Sequence, residues 1–413
     1  MFFIYHIITQ IVAWILPITT WFSPKMKSFI QGRKLVWELL KKNIQPNDKI
    51  IWFHAASLGE YEQGLPIMKR LKQQFPQHKI VLTFFSPSGY EVRKNTPFAD
   101  VVCYLPLDTF FNAKRFVQLV HPEKVFFVKY EFWHYYLAEL NNRKIETILV
   151  SGIFRPSQAF FQWWGGFNRN MLQQFSHLFV QNTASKQLLD GIGLGDKTTV
   201  AGDTRFDRVI TAAEQWKPIE IVDAFCGTDS VLVAGSTWAE DENILADWMK
   251  ENNRYKLIIA PHEIKQENIN RLKTLFPDSI KFSELSTHHS PLTAHRVLII
   301  DNIGYLSRLY KYASVCYVGG GFNKSGHHNI LEAAVFGKPV ITGPNFEKFK
   351  ESVELKKLGG SFSINNAIEL KEVMLKMDSS AAGTIAENYV KENAGATAAI
   401  FNWLQEKRLF TNA

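Results

Sequence analysis

From Lys49 onward the chain repeats one pattern, a short apolar run followed by an amphipathic stretch. The first series of runs is KIIWFHA (49–55), KIVLTFF (79–85), VVCYLP (101–106), KVFFVK (124–129), ETILVSG (146–152), HLFVQN (177–182) and TTVAG (198–202). The runs are apolar at nearly every position rather than at alternate ones, so both faces of each strand are predicted to be covered. Strands buried on both faces, with helical stretches between them, imply a parallel sheet. A second series follows: SVLVAGS (230–236), YKLIIAP (255–261), RVLIID (296–301), ASVCYVGGG (313–321), KPVITGP (338–344) and GSFSI (360–364). Residues 209–229 between the two series lack the rhythm and read as an interdomain linker. The chain has 413 residues, enough for two domains at about 150 residues each. The expected architecture is α/β, with two Rossmann-like domains, 25–208 and 230–390, facing a central cleft. A helical, amphipathic tail follows at 391–413, and an apolar segment, 1–24, precedes them.

Segment 1–24 contains no Asp, Glu, Lys or Arg. It has neither the basic start nor the small-residue cleavage site of a signal peptide. The stretch after it is basic: Lys25, Lys27, Arg33, Lys34, Lys41, Lys42 and Lys49 stand against Glu38 and Asp48. An apolar anchor followed by basic residues marks a cytoplasmic membrane face, which the segment would span or lie on. The whole chain carries a net charge of +8 and 14% aromatic residues, including 11 Trp. That balance favours an anionic partner and contact with a membrane interface or with sugars. Cys103, Cys226 and Cys316 form no CxxC pair and lie in or beside apolar stretches, so neither a disulfide framework nor a zinc site is expected.

Ligands of open α/β sheets bind beyond the carboxyl ends of the strands, so the chemistry should lie in the loops after the runs. In the second half the densest is VGGGFNKSGHHNILEAAVFGKPVITGP (318–344). Glycines let backbone approach a ligand, and a helix start near Asn329 offers N–H groups to an anion. Glu332, one turn in, suits sugar hydroxyls. This is neither a Walker A loop nor a first-turn G-x-G-x-x-G. Gly235-Ser236-Thr237, Pro261-His262-Glu263 and Asn302-Ile303-Gly304 also follow strands. In the first half the corresponding groups are His54 through Ser57 and Gly59 to Glu60, Ser86 to Gly89 with Arg93, Asp108, Lys129 to Trp133, Ser151 to Arg155, Gln181-Asn182, and Gly202 to Asp207. Glu60 and Glu131 with Arg155 and Arg205 could converge there. One acid would serve as base toward a hydroxyl, and the cations would face a departing phosphate. Glu60 sits at a helix start, whose dipole should keep it ionised near neutral pH.

The ordered set His54-Ala-Ala-Ser-Leu-Gly-Glu60, Phe85-Ser-Pro-Ser-Gly-Tyr90, Leu105-Pro-Leu-Asp108, Glu131-Phe-Trp133, Val150-Ser-Gly152, Gln181-Asn182, Gly202…Phe206-Asp207, Ala234-Gly-Ser-Thr237 and Gly326-His-His-Asn-Ile-Leu-Glu332 resembles the 3-deoxy-D-manno-octulosonic acid (Kdo) transferases of lipopolysaccharide assembly. The resemblance implies a GT-B glycosyltransferase that inverts its donor, CMP-Kdo. The acceptor would be an anionic lipid A precursor at the cytoplasmic face of the inner membrane. No cofactor, metal or nucleic acid is implied. Catalytic roles carry over to Glu60 as general base, with Glu131 and Arg205 supporting the transition state. Substrate contacts carry over to Ser57, Gly59, Ser236, Pro261, His262, Asn302, Ile303, Gly304, Gly320, His328, Asn329, Ile330, Leu331 and Glu332. The chain departs from the family at His262, where Arg is usual, at Arg205, where Lys is usual, and at His134, where Pro is usual. Two other readings fit the same scaffold: a nucleotide-sugar 2-epimerase, and a non-enzymatic basic module that binds anionic lipid or nucleic acid at a membrane.

Overall fold

The computed structural model describes residues 2–16, 24–285 and 295–407. The chain divides into two compact units, Met1–Arg208 with Ala394–Ala413, and Val209–Asn393. The first contains β1 (Lys49–Ala55), β2 (His78–Phe84), β3 (Val101–Tyr104), β4 (Lys124–Val128), β5 (Glu146–Gly152), β6 (His177–Val180) and β7 (Thr198–Val200). They form one sheet in the order β3-β2-β1-β4-β5-β6-β7, and every pairing is parallel. β1 shows why its run is apolar at successive positions. Ile50 and Trp52 enter one core layer, while Ile51, Phe53 and Ala55 enter the other. The order reverses between β1 and β4, and the crevice beyond the strand ends lies at such a reversal.

The second unit contains β8 (Ser230–Thr237), β9 (Tyr255–Pro261), β10 (Ser279–Lys281), β11 (Val297–Ile299), β12 (Val315–Val318), β13 (Val340–Thr342) and β14 (Ser361–Ser363). Their order is β10-β11-β9-β8-β12-β13-β14, with the reversal between β8 and β12. β10 is missing from the sequence reading. Three residues, Ser-Ile-Lys, at a sheet edge carry too little apolar signal to register.

Two stretches differ from expectation. Residues 209–229 are largely helical, in Thr204–Glu214 and Glu220–Cys226, with Val222 and Phe225 fully buried. The stretch is therefore packed structure of the second unit rather than a bare linker. The tail helix Ala396–Glu406 belongs to the first unit, where Ile400, Phe401 and Leu404 complete the core layer beside β1. Asp207 fastens it: Oδ1 accepts from the Gly395 N–H at 2.6 Å, and Oδ2 accepts from the Thr397 N–H at 2.7 Å and its hydroxyl at 2.8 Å.

Residues 17–23 of the apolar N-terminal segment lie outside the described residues. The part described is a helix, Phe2–Ile15, of 14 residues. At 1.5 Å per residue it measures roughly 21 Å, against a bilayer core of about 30 Å. No helix among the described residues is long and apolar enough to cross a membrane. The helix docks through polar groups. The Tyr5 hydroxyl donates to Asp108, and His6 Nδ1 meets the Tyr135 hydroxyl at 2.6 Å. Phe3, Ile4, Ile8, Ile11 and Trp14 are left exposed, Trp14 at 82%.

Candidate active site

β1 ends at Ala55, and Ser57 caps the helix Leu58–Gln74. Glu60 is the third residue of that helix and folds back on its cap, with the Ser57 N–H donating to Oε2 at 3.0 Å. The carboxyl is buried, which corrects the expectation from the helix dipole. Its pKa rises from 4.5 to about 7, first through burial and then through the charge of Glu131. The N–H groups of Ser57 and Ala56 and the ammonium of Lys129 oppose the rise without cancelling it. Desolvation outweighs the capping field here, so Glu60 exchanges its proton near neutrality.

Glu131 lies beyond the end of β4, strand neighbour to β1. Its Oε2 is 3.0 Å from His54 Nε2 and accepts from the Trp133 indole N–H at 2.7 Å. Behind His54, Nδ1 is 2.8 Å from the Thr83 hydroxyl, which also accepts from the Trp52 indole N–H at 2.8 Å. The Trp133 indole N–H also faces His54 Nε2, at 3.0 Å, so one donor is shared by the imidazole and the carboxylate. Lys129, between β4 and Glu131, takes a left-handed φ of 69°, a costly conformation for a non-glycine residue that concentrates at functional sites. Tyr130 is raised by burial, and the Arg155 cation and the Glu60 carboxylate pull it in opposite directions. That places Arg155 and Glu60 in one neighbourhood.

Arg205 joins through backbone-anchored links. Its N–H and its Nε each donate to Asp203, both at 2.9 Å. Asp203 also accepts from Gln63 at 3.2 Å, one helical turn after Glu60. The Thr204 hydroxyl donates to the Gln63 carbonyl at 2.6 Å and lies 3.0 Å from the Ser151 hydroxyl. Glu60, Glu131, Arg155 and Arg205 thus share the carboxyl-terminal edge of the first sheet. Glu62, by contrast, pairs with Arg93 at 2.9 Å and Arg208 at 3.1 Å. Gly59 has open space where a Cβ would stand.

In the second unit the strand ends at the β8–β12 reversal meet tightly. Asp241 is fully buried and accepts from the Trp238 N–H, the Gly320 N–H and the Tyr317 hydroxyl at 2.9, 2.9 and 2.7 Å. A Cβ on Gly319 would stand 2.6 Å from the Ser236 carbonyl oxygen, and one on Gly321 would meet the Gly343 backbone at 2.5 Å. Only Gly320 of the three is left-handed, at φ 89°. Two of the glycines therefore serve close backbone packing. Ser236 takes φ 54° where the register of β8 slips against β9. Beyond β9, Pro261 leads to His262, whose ring stacks between Trp238 (4.7 Å) and His328 (4.4 Å). Beyond β11, Asn302 has a buried Oδ1 with no partner among the described residues, Ile303 is 88% exposed, and Gly304 is left-handed at φ 97°. The helix expected near Asn329 is a single turn, Leu331–Ala334, and the Asn329 side chain accepts from the Leu331 N–H at 3.1 Å. The Ile330 and Leu331 side chains are fully buried core residues. Glu332 is half-buried in that turn. His327 is buried against Phe349 and reaches Ser352 at 2.7 Å.

Residues 32–208 match the family model described as 3-Deoxy-D-manno-octulosonic-acid transferase (kdotransferase). Those residues are similar to the Kdo transferase family. The chain is 28% identical to the 3-deoxy-D-manno-octulosonic acid transferase of Aquifex aeolicus, over 80% of this chain and 86% of the relative. It is 29% identical to that of Haemophilus influenzae, over 79% and 78%. By this kinship the chain is a glycosyltransferase. Among solved structures, the UDP-GlcNAc 2-epimerase of Neisseria meningitidis superposes with a TM-score of 0.59 at 16% identity, covering 87% of this chain and 100% of that one. MurG of Acinetobacter baumannii gives 0.53 at 12% identity, covering 87% and 99%. At such identities the likeness concerns the GT-B-like fold alone.

Gln63, Thr83 and Asp241 organise the site and were not singled out from the sequence; Asp203 was named only within the 202–207 group, and Arg33, counted there in the basic membrane-facing flank, is buried instead. Arg33 donates to the Leu105 and Phe85 carbonyls at 3.0 and 2.7 Å, and lies over the rings of Phe29, Phe85 and Tyr104. Burial lowers its pKa to about 10. Asp203 stands two residues before Arg205 on a turn, and that adjacency was the signal available. Nothing local marks Gln63 or Thr83, whose partners are 140 and 29 residues away. Among the described residues, no group of His, Cys, Asp and Glu could hold a metal ion.

Proposed function

We infer that this chain moves Kdo from CMP-Kdo to a hydroxyl of a lipid A precursor, with inversion at the anomeric carbon. The observation that carries the reading is Glu60, a buried acid poised near neutrality and held by the N–H of its own helix cap. A base of that pKa has both the ionised population and the driving force to accept a hydroxyl proton. In the proposed step Glu60 takes the acceptor proton, the freed oxygen bonds to the anomeric carbon, and CMP departs with the electron pair of the broken C–O bond. Glu131, fixed by His54 and Trp133, sets the proton affinity of Glu60 by its charge. Arg205, fixed by Asp203, presents a cation to the developing phosphate charge. In the second unit, the exposed Ile303 beside the unpartnered Asn302 carbonyl oxygen suits a nucleobase, and His262, His328 and the braced Gly320 loop suit its phosphate.

The exposed apolar side of Phe2–Ile15, together with the net charge of +8, supports docking on the anionic cytoplasmic face of the inner membrane. There the helix would lie in the plane of the interface. The reading is tested by incubating the full chain with CMP-Kdo and a tetra-acylated lipid A precursor and weighing the product. A mass increment of one Kdo unit, lost in Glu60→Gln, is expected. Unchanged acceptor in the wild type would refute it.

A further inference from the structure

A ring stack at the strand ends of the second unit is made of Trp238, His262 and His328. Each member comes from a different loop: Trp238 after β8, His262 after β9 and His328 after β12. The interplanar angles are 24° and 29°. The faces of His262 are thereby occupied, while the residue as a whole is exposed. Among the described residues neither imidazole has a hydrogen-bond partner on a ring nitrogen. Their contacts within the hydrogen-bonded framework run through the backbone, with the His262 N–H donating to the Thr237 carbonyl at 2.9 Å and the His328 N–H to Gly319 at 3.2 Å. Two imidazoles are therefore aimed by stacking and by their main chain, with their nitrogens left to a ligand. Glu263, itself paired with Lys265 at 2.7 Å, acts on His262, while His262 and His327 act on His328. Asp241, behind Trp238, spends its oxygens on N–H and hydroxyl donors.

We propose that the His262–His328 pair takes up a proton when the donor binds, and holds it against the phosphate that leaves with CMP. The inference rests on reading the second unit as the donor half. The free pair is neutral near pH 7: the stacked neighbours that cover its ring faces desolvate His262 and lower it although the residue is exposed, and burial lowers His328 to about 4. The phosphodiester monoanion of the donor against the ring edges favours the imidazolium, and the dianion of CMP formed as the bond breaks favours it more. The proton comes from water on binding. As the C–O bond to Kdo breaks, its electron pair passes to the phosphate oxygen, and the imidazolium donates to that oxygen. A permanently charged Arg would offer the same stabilisation without a pH dependence. The stacked histidine makes donor capture proton-linked.

The test is calorimetric titration of CMP into the full chain between about pH 6 and about pH 9, in buffers of different ionisation enthalpy. Wild type should take up a substantial fraction of one proton more than His262→Gln does, and its affinity should fall by up to about tenfold per pH unit over part of the range. His262→Arg should bind with an affinity that no longer follows pH. Equal proton uptake in wild type and His262→Gln would overturn the proposal while leaving the donor assignment standing. No binding of CMP to wild type would overturn both. His262 is exposed, so neither substitution threatens the fold.

Discussion

Replacing Glu60 with Gln should make the protein a far poorer enzyme and a more stable one, and the stability gain should depend on pH. The carboxyl titrates at an ordinary 4.5 when unfolded and at about 7 in the fold. Below pH 4.5 both states bind the proton and the group is neutral in its effect. Between the two values the folded state binds more protons than the unfolded one, so stability falls as pH rises. Above pH 7 the full difference is lost, roughly 3 kcal/mol at 1.36 kcal/mol per pKa unit. Gln keeps an oxygen for the Ser57 N–H and removes the charge. Its urea midpoint should therefore match wild type near pH 4.5 and exceed it clearly at pH 8.5. Transfer should fall by about 10²–10⁴-fold, the contribution of a positioned base, while CMP binding persists. A stability difference that is flat with pH, or of the opposite sign, would refute the assignment of buried charge to Glu60. Retained turnover would refute its role as base.

Glu131→Gln removes the second cause of that high pKa and leaves burial, the first. The acid limb of kcat/KM should move down from about pH 7 but stay above the ordinary carboxylate range, as a pH–rate profile will show. An unmoved limb would mean that the two carboxyls do not interact. Asp207→Ala strips the tail helix of three hydrogen bonds and should cost about 2 kcal/mol, read from urea unfolding; Asp207→Asn should recover part of it. Gly319→Ala puts a Cβ 2.6 Å from the Ser236 carbonyl oxygen and 2.7 Å from the Thr237 Cα. Both are backbone atoms that cannot step aside, so CMP affinity should drop at least about tenfold with a stability loss of about 1–3 kcal/mol. Gly59→Ala, with open space at its Cβ, should leave stability nearly unchanged and serve as the control.

The periodicity carried both sheets because two-sided burial writes itself into consecutive residues, as Ile50 to Phe53 show. It also pointed to the strand ends at a reversal of order, where the structure brings side chains of separate loops together. Protonation was not legible. The helix-start position of Glu60 argues for an ionised acid, and its Ser57 and Ala56 N–H groups do push that way. What reverses the result is burial and Glu131, 71 positions on, and neither is a property of the local sequence. Asp207 fails in the other direction. It stands beside Arg205 in a motif that reads as catalytic, yet its carboxylate accepts three hydrogen bonds from residues 395 and 397, nearly two hundred positions later. A motif can thus mix residues kept for chemistry with residues kept for assembly. Here the two are coupled. The turn that sets Arg205 on Asp203 is the same turn from which Asp207 holds the tail, and the tail's Phe401 and Leu404 fill the core layer beneath β1 and the Glu60 helix. Loosening the tail should therefore be felt at both Arg205 and Glu60, through packing rather than through any contact with substrate.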